Sequence, residues 1–313
     1  MFTGKYHLIL MSLGIVSIIL TGVYIMLNRS KGVPQVNNYV QKNLESIKES
    51  SSTEIPKATD HIPVLNIFNK TDLTNHVLSL LKCNNRLIPI FISKFGAVAM
   101  KIKFDHSWES LQVEYLMKFS QDFEFHFIDI GCNLGVYSLN MACRGHDVIA
   151  IEANIEVVKI FSHSIKKNNF TNKIVLLHNA VTNSRDEFEV KVYQNEDPIG
   201  KIRKVSGYST NLVRGIFMDD VIPLIKHKNV IIKIDIEGSE ISAFRKAEEL
   251  FKNYKVLMVV MEWAIIKHNV EVEFVLNFMK IRNYSSYSSK GDYLSLSSFM
   301  NWPIEVFWKL DKL

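Results

Sequence analysis

From Phe125 onward, short apolar runs alternate with longer stretches of helical periodicity. The runs from Phe125 to Ile130, Asp147 to Ile151, Lys173 to Leu177, Val230 to Ile236 and Lys255 to Met261 have the apolar, β-branched character of strands. Tyr137 to Cys143, Ile155 to Lys167, Ser239 to Lys252 and Glu271 to Ile281 carry helical spacing between them. Such alternation predicts βαβ units, and nearly continuous apolar strands predict a sheet covered on both faces. The expected fold class is α/β and Rossmann-like, a mostly parallel twisted sheet with helices on both faces. Tyr284 to Ser288 and Tyr293 to Ser297 predict a short antiparallel pair around Gly291. Upstream, Trp108 to Phe119 predicts a helix with Leu111, Tyr115 and Phe119 on one face, whereas the stretch between Leu177 and Val230 is less regular.

The N-terminal pattern differs. Leu8 to Leu27 is an uncharged apolar run of twenty positions, and a helix of ~20 residues spans the roughly 30 Å of a bilayer core. A cleaved signal peptide would have an apolar core of roughly 7–15 residues and a small-x-small site. This run is longer and ends in Tyr24, Ile25, Met26 and Leu27, so a single-pass anchor over residues 1–28 is expected. One Lys before the span and two basic residues just after it leave its orientation open. Sequons at Asn69, Asn169 and Asn283 favour a lumenal catalytic domain. A polar, proline-punctuated stem follows over 29–63, then an accessory segment over 64–120 and a catalytic domain over 121–313.

Composition narrows the classes. The hydrophobic share of 47% and charged share of 22% exclude wholesale disorder. A net charge of +5 without a dense Lys/Arg block or aromatic platform predicts no nucleic-acid partner. The three cysteines, Cys83, Cys132 and Cys143, lack C-x-x-C spacing and are too few for a disulfide framework. Cys132 and Cys143 fall in apolar segments, where a free cysteine acts as a small hydrophobe.

The chemistry gathers at strand ends. Phe127 to Leu139 reads F-I-D-I-G-C-N-L-G-V-Y-S-L, a strand, a tight loop and the start of a helix. Gly131 and Gly135 allow a sharp turn and close ligand approach, and the helix N-terminus offers free N–H groups. Asp129 and Asn133 break the dinucleotide pattern G-x-G-x-x-G. An acid there would repel a pyrophosphate but suit the ammonium of an amino-acid moiety, as in S-adenosylmethionine. An ordinary Gly-containing βα turn is the alternative. The second strand ends at Glu152, placed to accept from both ribose hydroxyls unless it is a surface residue. The third leads into Asn179, which could bond adenine or form a turn.

The fourth strand, V-I-I-K-I-D-I-E-G-S-E, puts Lys233, Asp235 and Glu237 on one face near its C-terminal end. Ionisable residues there are costly unless paired or functional. The alternative is a Lys233–Asp235 ion pair with a Glu capping the next helix. Asp219-Asp220 could add a carboxylate, although a helix cap is its commoner role. Asp235 and Glu237 lack a third clear ligand, so no metal is expected.

Together these segments resemble the FkbM-type family of S-adenosylmethionine-dependent methyltransferases. The resemblance covers roughly Glu114 to Glu262 and rests on the Phe127–Leu139 segment, I-E-A-N, M-D-D-V and I-I-K-I-D-I-E-G-S-E. It implies a class I methyltransferase fold, S-adenosyl-L-methionine as cofactor and methyl transfer to a hydroxyl of a sugar, lipid or other small metabolite. It also implies that Asp129, Gly131, Asn133, Gly135 and Glu152 hold the cofactor. Ala153 stands where the family usually has Pro, which loosens the loop but keeps the carboxylate. Asp235 is the expected catalytic base, with Glu237 second. The rival readings are a nicotinamide-dependent oxidoreductase and an inactive, membrane-anchored interaction protein on the same scaffold.

Overall fold

In a computed structural model, residues 76–94, 96–192, 200–205 and 209–312 are described. The anchor expected over 8–27, the stem and the sequon at Asn69 lie outside these residues. Among the described residues no helix is long and apolar enough to cross a membrane.

The chain enters through a hairpin of β1 (His76–Cys83) and β2 (Arg86–Ser93), turned at Asn84-Asn85 with Asn84 at φ 55°. Its alternation buries Leu81, Cys83, Ile88, Ile90 and Ile92 and leaves Leu78, Leu80 and Leu87 exposed. Helices α1 (Ala97–Asp105) and α2 (Ser110–Ser120) follow. The central sheet begins with β3 (His126–Ile130), α3 (Val136–Cys143), β4 (Asp147–Glu152), α4 (Ile155–Lys167) and β5 (Ile174–His178). Helix α4 has the predicted bounds: Asn154 caps it by accepting from the Glu156 N–H, and Lys166 and Lys167 complement its C-terminal dipole.

The irregular stretch becomes β6 (Ala180–Val181), β7 (Glu187–Val192), β8 (Gly200–Lys204) and β9 (Leu212–Ile216), a separate four-stranded sheet. Then come β10 (Asn229–Ile234), α5 (Glu240–Phe244), α6 (Glu248–Asn253), β11 (Lys255–Glu262), α7 (Val272–Lys280), β12 (Tyr284–Tyr287) and β13 (Glu305–Leu310). The expected single helix from Ser239 to Lys252 is thus two short ones, broken between Phe244 and Glu248.

The seven-stranded sheet has the order β12-β13-β11-β10-β3-β4-β5. The five strands β3, β4, β5, β10 and β11 are parallel, while β13 runs antiparallel between β11 and β12. This corrects the expected terminal pair: Tyr284–Tyr287 pairs with β13, and a single bridge joins Tyr287 to Tyr293. Strand alternation divides the core between the two faces. Ile128, Ile130, Ile232 and Ile234 pack on one, and Phe127, Val148, Ile231 and Val260 on the other with the hairpin and α2. A disulfide joins Cys83 to Cys143 across that second face, so Cys143 is not the free hydrophobe predicted; Cys132 alone stays free and buried. The chain reverses direction across the sheet between β3 and β10, which opens a crevice beyond their carboxyl ends.

Candidate functional site

The loop from β3 into α3 passes through three residues with positive φ, Gly131 at 77°, Asn133 at 48° and Gly135 at 81°. A Cβ on Gly131 would lie 1.8 Å from the Asp235 carbonyl oxygen, and one on Gly135 2.0 Å from the Phe161 ring. Packing as well as backbone angle therefore requires both glycines. Gly135 is the N-cap of α3, and its left-handed φ lets the helix begin there.

Asp129 is buried, and its Oδ2 accepts from the Ser138 N–H at 3.1 Å and the Ser138 hydroxyl at 2.6 Å. It thereby caps the first turn of α3. Burial pushes its pKa up to about 6, opposed by Lys233 and Ser138. Glu152, at the tip of β4, accepts from the Asn133 N–H at 3.0 Å and the Asn154 N–H at 2.8 Å, one on each carboxylate oxygen. Burial raises its pKa to about 7 against those amides. Asn179 donates to the Arg214 carbonyl and leaves its buried Oδ1 unpartnered; Asn133 Oδ1 is orphaned likewise.

On β10, Lys233 is 4% exposed and registers opposite Asp129 on β3. Its Nζ bonds Asp235 Oδ2 at 2.9 Å and lies 4.8 Å from the centre of the Tyr137 ring. Burial opposes its charge, but Asp235, Glu109 and Asp129 together raise its pKa above that of an ordinary lysine. The strand stops at Ile234, so the pleat does not place Glu237 as expected; a left-handed turn at φ 56° does. No side chain caps the helix that follows; Glu240, its first residue, instead stitches the preceding turn, its Oε1 accepting from the Ile236 and Gly238 N–H groups at 2.8 and 3.3 Å. Asp219 and Asp220 are structural too: Asp219 caps α6 through the Glu249 and Leu250 N–H groups, and Asp220 pairs with Arg185.

One cavity of about 410 Å³ gathers the site. Of the residues expected from the sequence, Asp129, Gly131, Asn133, Glu152, Asn179, Asp235 and Glu237 line it. Four further residues, Glu109, Tyr137, Glu262 and Glu305, also line it and were not expected. Glu262 ends β11 as Glu152 ends β4, a pattern visible in M-V-V-M-E. Its carboxylate and those of Asp235 and Glu237 present oxygens within 4.8 Å of one another, the third ligand position that the sequence lacked. Those three could hold a cation. Burial, then Asp235, Glu237 and Glu240, raise the pKa of Glu262.

No curated protein matches the chain. Among solved structures it is similar to an O-methyltransferase from Bacillus cereus in complex with SAH, at 13% identity and a TM-score of 0.36, over 64% of this chain and 80% of that one. It is also similar to a precorrin-6y C5,15-methyltransferase from Geobacter metallireducens, at 12% identity and a TM-score of 0.36, over 69% of this chain and 92% of that one. A tRNA m1G37 methyltransferase from M. jannaschii matches at 14% identity and a TM-score of 0.38, over 76% of this chain and 58% of that one. The family model described as the methyltransferase FkbM domain matches residues 129–286, half of the chain and all of the site from β3 to β11. The chain therefore belongs to the FkbM methyltransferase family and is an S-adenosylmethionine-dependent methyltransferase.

Proposed function

We propose that the enzyme methylates a hydroxyl oxygen of a sugar, lipid or other small metabolite, with Asp235 as the proton acceptor. The supporting observation is the single cavity that joins the Gly131–Asn133 loop, Glu152 and Asn179 to the Lys233–Asp235 pair. The residues present suit the cofactor. Asn179 Oδ1, buried and unpartnered, is an acceptor for the adenine amine, and Glu152 keeps free lone pairs for the ribose hydroxyls. S-adenosylmethionine supplies an electrophilic methyl, so the protein's task is positioning and proton transfer. The acceptor hydroxyl gives its proton to Asp235 as its oxygen gains the methyl. Lys233 orients that carboxylate through its 2.9 Å bond to Oδ2. Asp235→Asn should lower turnover by about 10²–10⁴-fold while cofactor affinity stays within a few fold. Wild-type turnover by that variant, in a labelled-methyl assay against sugars, lipids and small alcohols, would make the Lys233–Asp235 pair purely structural.

For location, the same reading has residues 8–27 anchor the chain in a membrane with the catalytic domain on the lumenal side. The Cys83–Cys143 disulfide supports an oxidising compartment, and the sequon residues Asn169 and Asn283 are exposed.

A further inference from the structure

The end of the cavity away from Asn179 is short of positive charge. Lys233 is the one basic side chain among the described residues lining the cavity, and its ammonium is committed to Asp235. Beyond Lys233 stand Glu109 and Glu305. Glu305 is 7% exposed and opens β13 directly opposite Glu262 on β11. Its carboxyl lies against Glu109 and Gln112, yet its Oε2 is buried without a partner. Glu109 accepts from the Tyr137 hydroxyl at 2.7 Å.

Two carboxyls side by side repel when both are charged, and a cation seated between them relieves that repulsion. Burial and then Glu109 hold the Glu305 pKa up accordingly. Trp108 and Tyr137 line the same end, and aromatic walls suit an organic cation better than a hydrated metal ion. An anionic group would meet Glu109, Glu305 and Glu262 together.

We propose that the acceptor carries an aliphatic ammonium group, seated against Glu305 and Glu109 beside Trp108, while its hydroxyl reaches Asp235. This rests on the methyl-transfer reading of the same cavity. An ammonium brings three donors, and Glu305 Oε2 and the free lone pairs of Glu109 await them.

The test uses the full-length chain in detergent. S-adenosylhomocysteine binding is first measured by calorimetry, and its absence would sink the cofactor reading itself. Labelled-methyl transfer is then compared for ethanolamine, 3-aminopropanol and glucosamine, each beside its N-acetyl derivative, and for glucose 6-phosphate. The free amines should be methylated on oxygen about tenfold or more better than their N-acetyl counterparts, and the phosphate ester not at all. Glu305→Gln should erase that preference with S-adenosylhomocysteine affinity unchanged; Glu109→Gln carries the same test if the first variant fails to fold. Equal use of neutral partners, preference for the phosphate ester, no methylation of any probe with S-adenosylhomocysteine bound, or an unchanged ratio in a folded variant would each overturn the proposal.

Discussion

Cofactor affinity should rise with pH through neutrality, and Glu152 should be the cause. Both oxygens of this carboxylate face backbone N–H groups, yet burial raises its pKa to about 7. One pH unit below that value only about a tenth of the molecules carry the charge; one unit above, about nine tenths do. Ribose hydroxyls donate, so they bind the ionised form better. Binding therefore lowers the pKa of Glu152 and releases a proton. The sign follows: affinity for S-adenosylhomocysteine grows from about pH 6 to about pH 8, by roughly tenfold or ~1.4 kcal/mol. Asp129, at about 6, titrates at the lower edge of this window, but its bonds go to Ser138. Glu152→Gln keeps one acceptor and sets an NH₂ against a loop amide. It should weaken binding by about ten- to hundredfold at the upper pH and flatten the profile. Calorimetric titration of both proteins across the range decides the matter. A flat wild-type profile, or a slope that survives in Glu152→Gln, would refute the assignment of the ribose to this carboxylate.

Three further outcomes are expected. Replacing Cys83 and Cys143 by Ser should remove about 4 kcal/mol of stability, given a closed loop with a separation of 60 residues; an unchanged urea midpoint on mutation or reduction would show that the bond does not form. Gly135→Ala forces a Cβ to 2.0 Å from the Phe161 ring at φ 81°, so it should destabilise by about 1–3 kcal/mol and lower the thermal midpoint. The intact chain should resist alkaline carbonate extraction and carry glycan at Asn169 or Asn283; a mature N-terminus beyond residue 27 would instead indicate a cleaved signal peptide.

Much of the catalytic half can be read locally. Period-2 and period-3.6 patterns place β3, β4, β10 and α4 within a few residues, because each buries a face or stripe written in its own sequence. The tips of β3, β4 and β10 announce Asp129, Glu152 and Asp235 for the same reason. The segment after β10 is less legible. Its alternation extends a pleat through Glu237, whereas Gly238 and a left-handed turn end the strand and the Glu240 carboxylate stitches that turn. Ser239 to Lys252 carries helical periodicity throughout, yet the chain breaks it into two helices, with Asp219 capping the second from a distant segment.

Only the tertiary structure decided the end of the cavity around Glu109, Glu262 and Glu305. Alternation says which face of a strand is buried, not which strand lies beside it. Tyr284–Tyr287 could pair with its sequence neighbour or with β13, and the longer apolar β13 wins because it also pairs with β11. That antiparallel register sets Glu305 against Glu262, and the packing of β13 brings it to Glu109. The Cys83–Cys143 bond depends on the hairpin lying over α3 in the same way. Each of these is a contact between segments far apart in the chain, and its free energy resides in burial and register that no local pattern encodes.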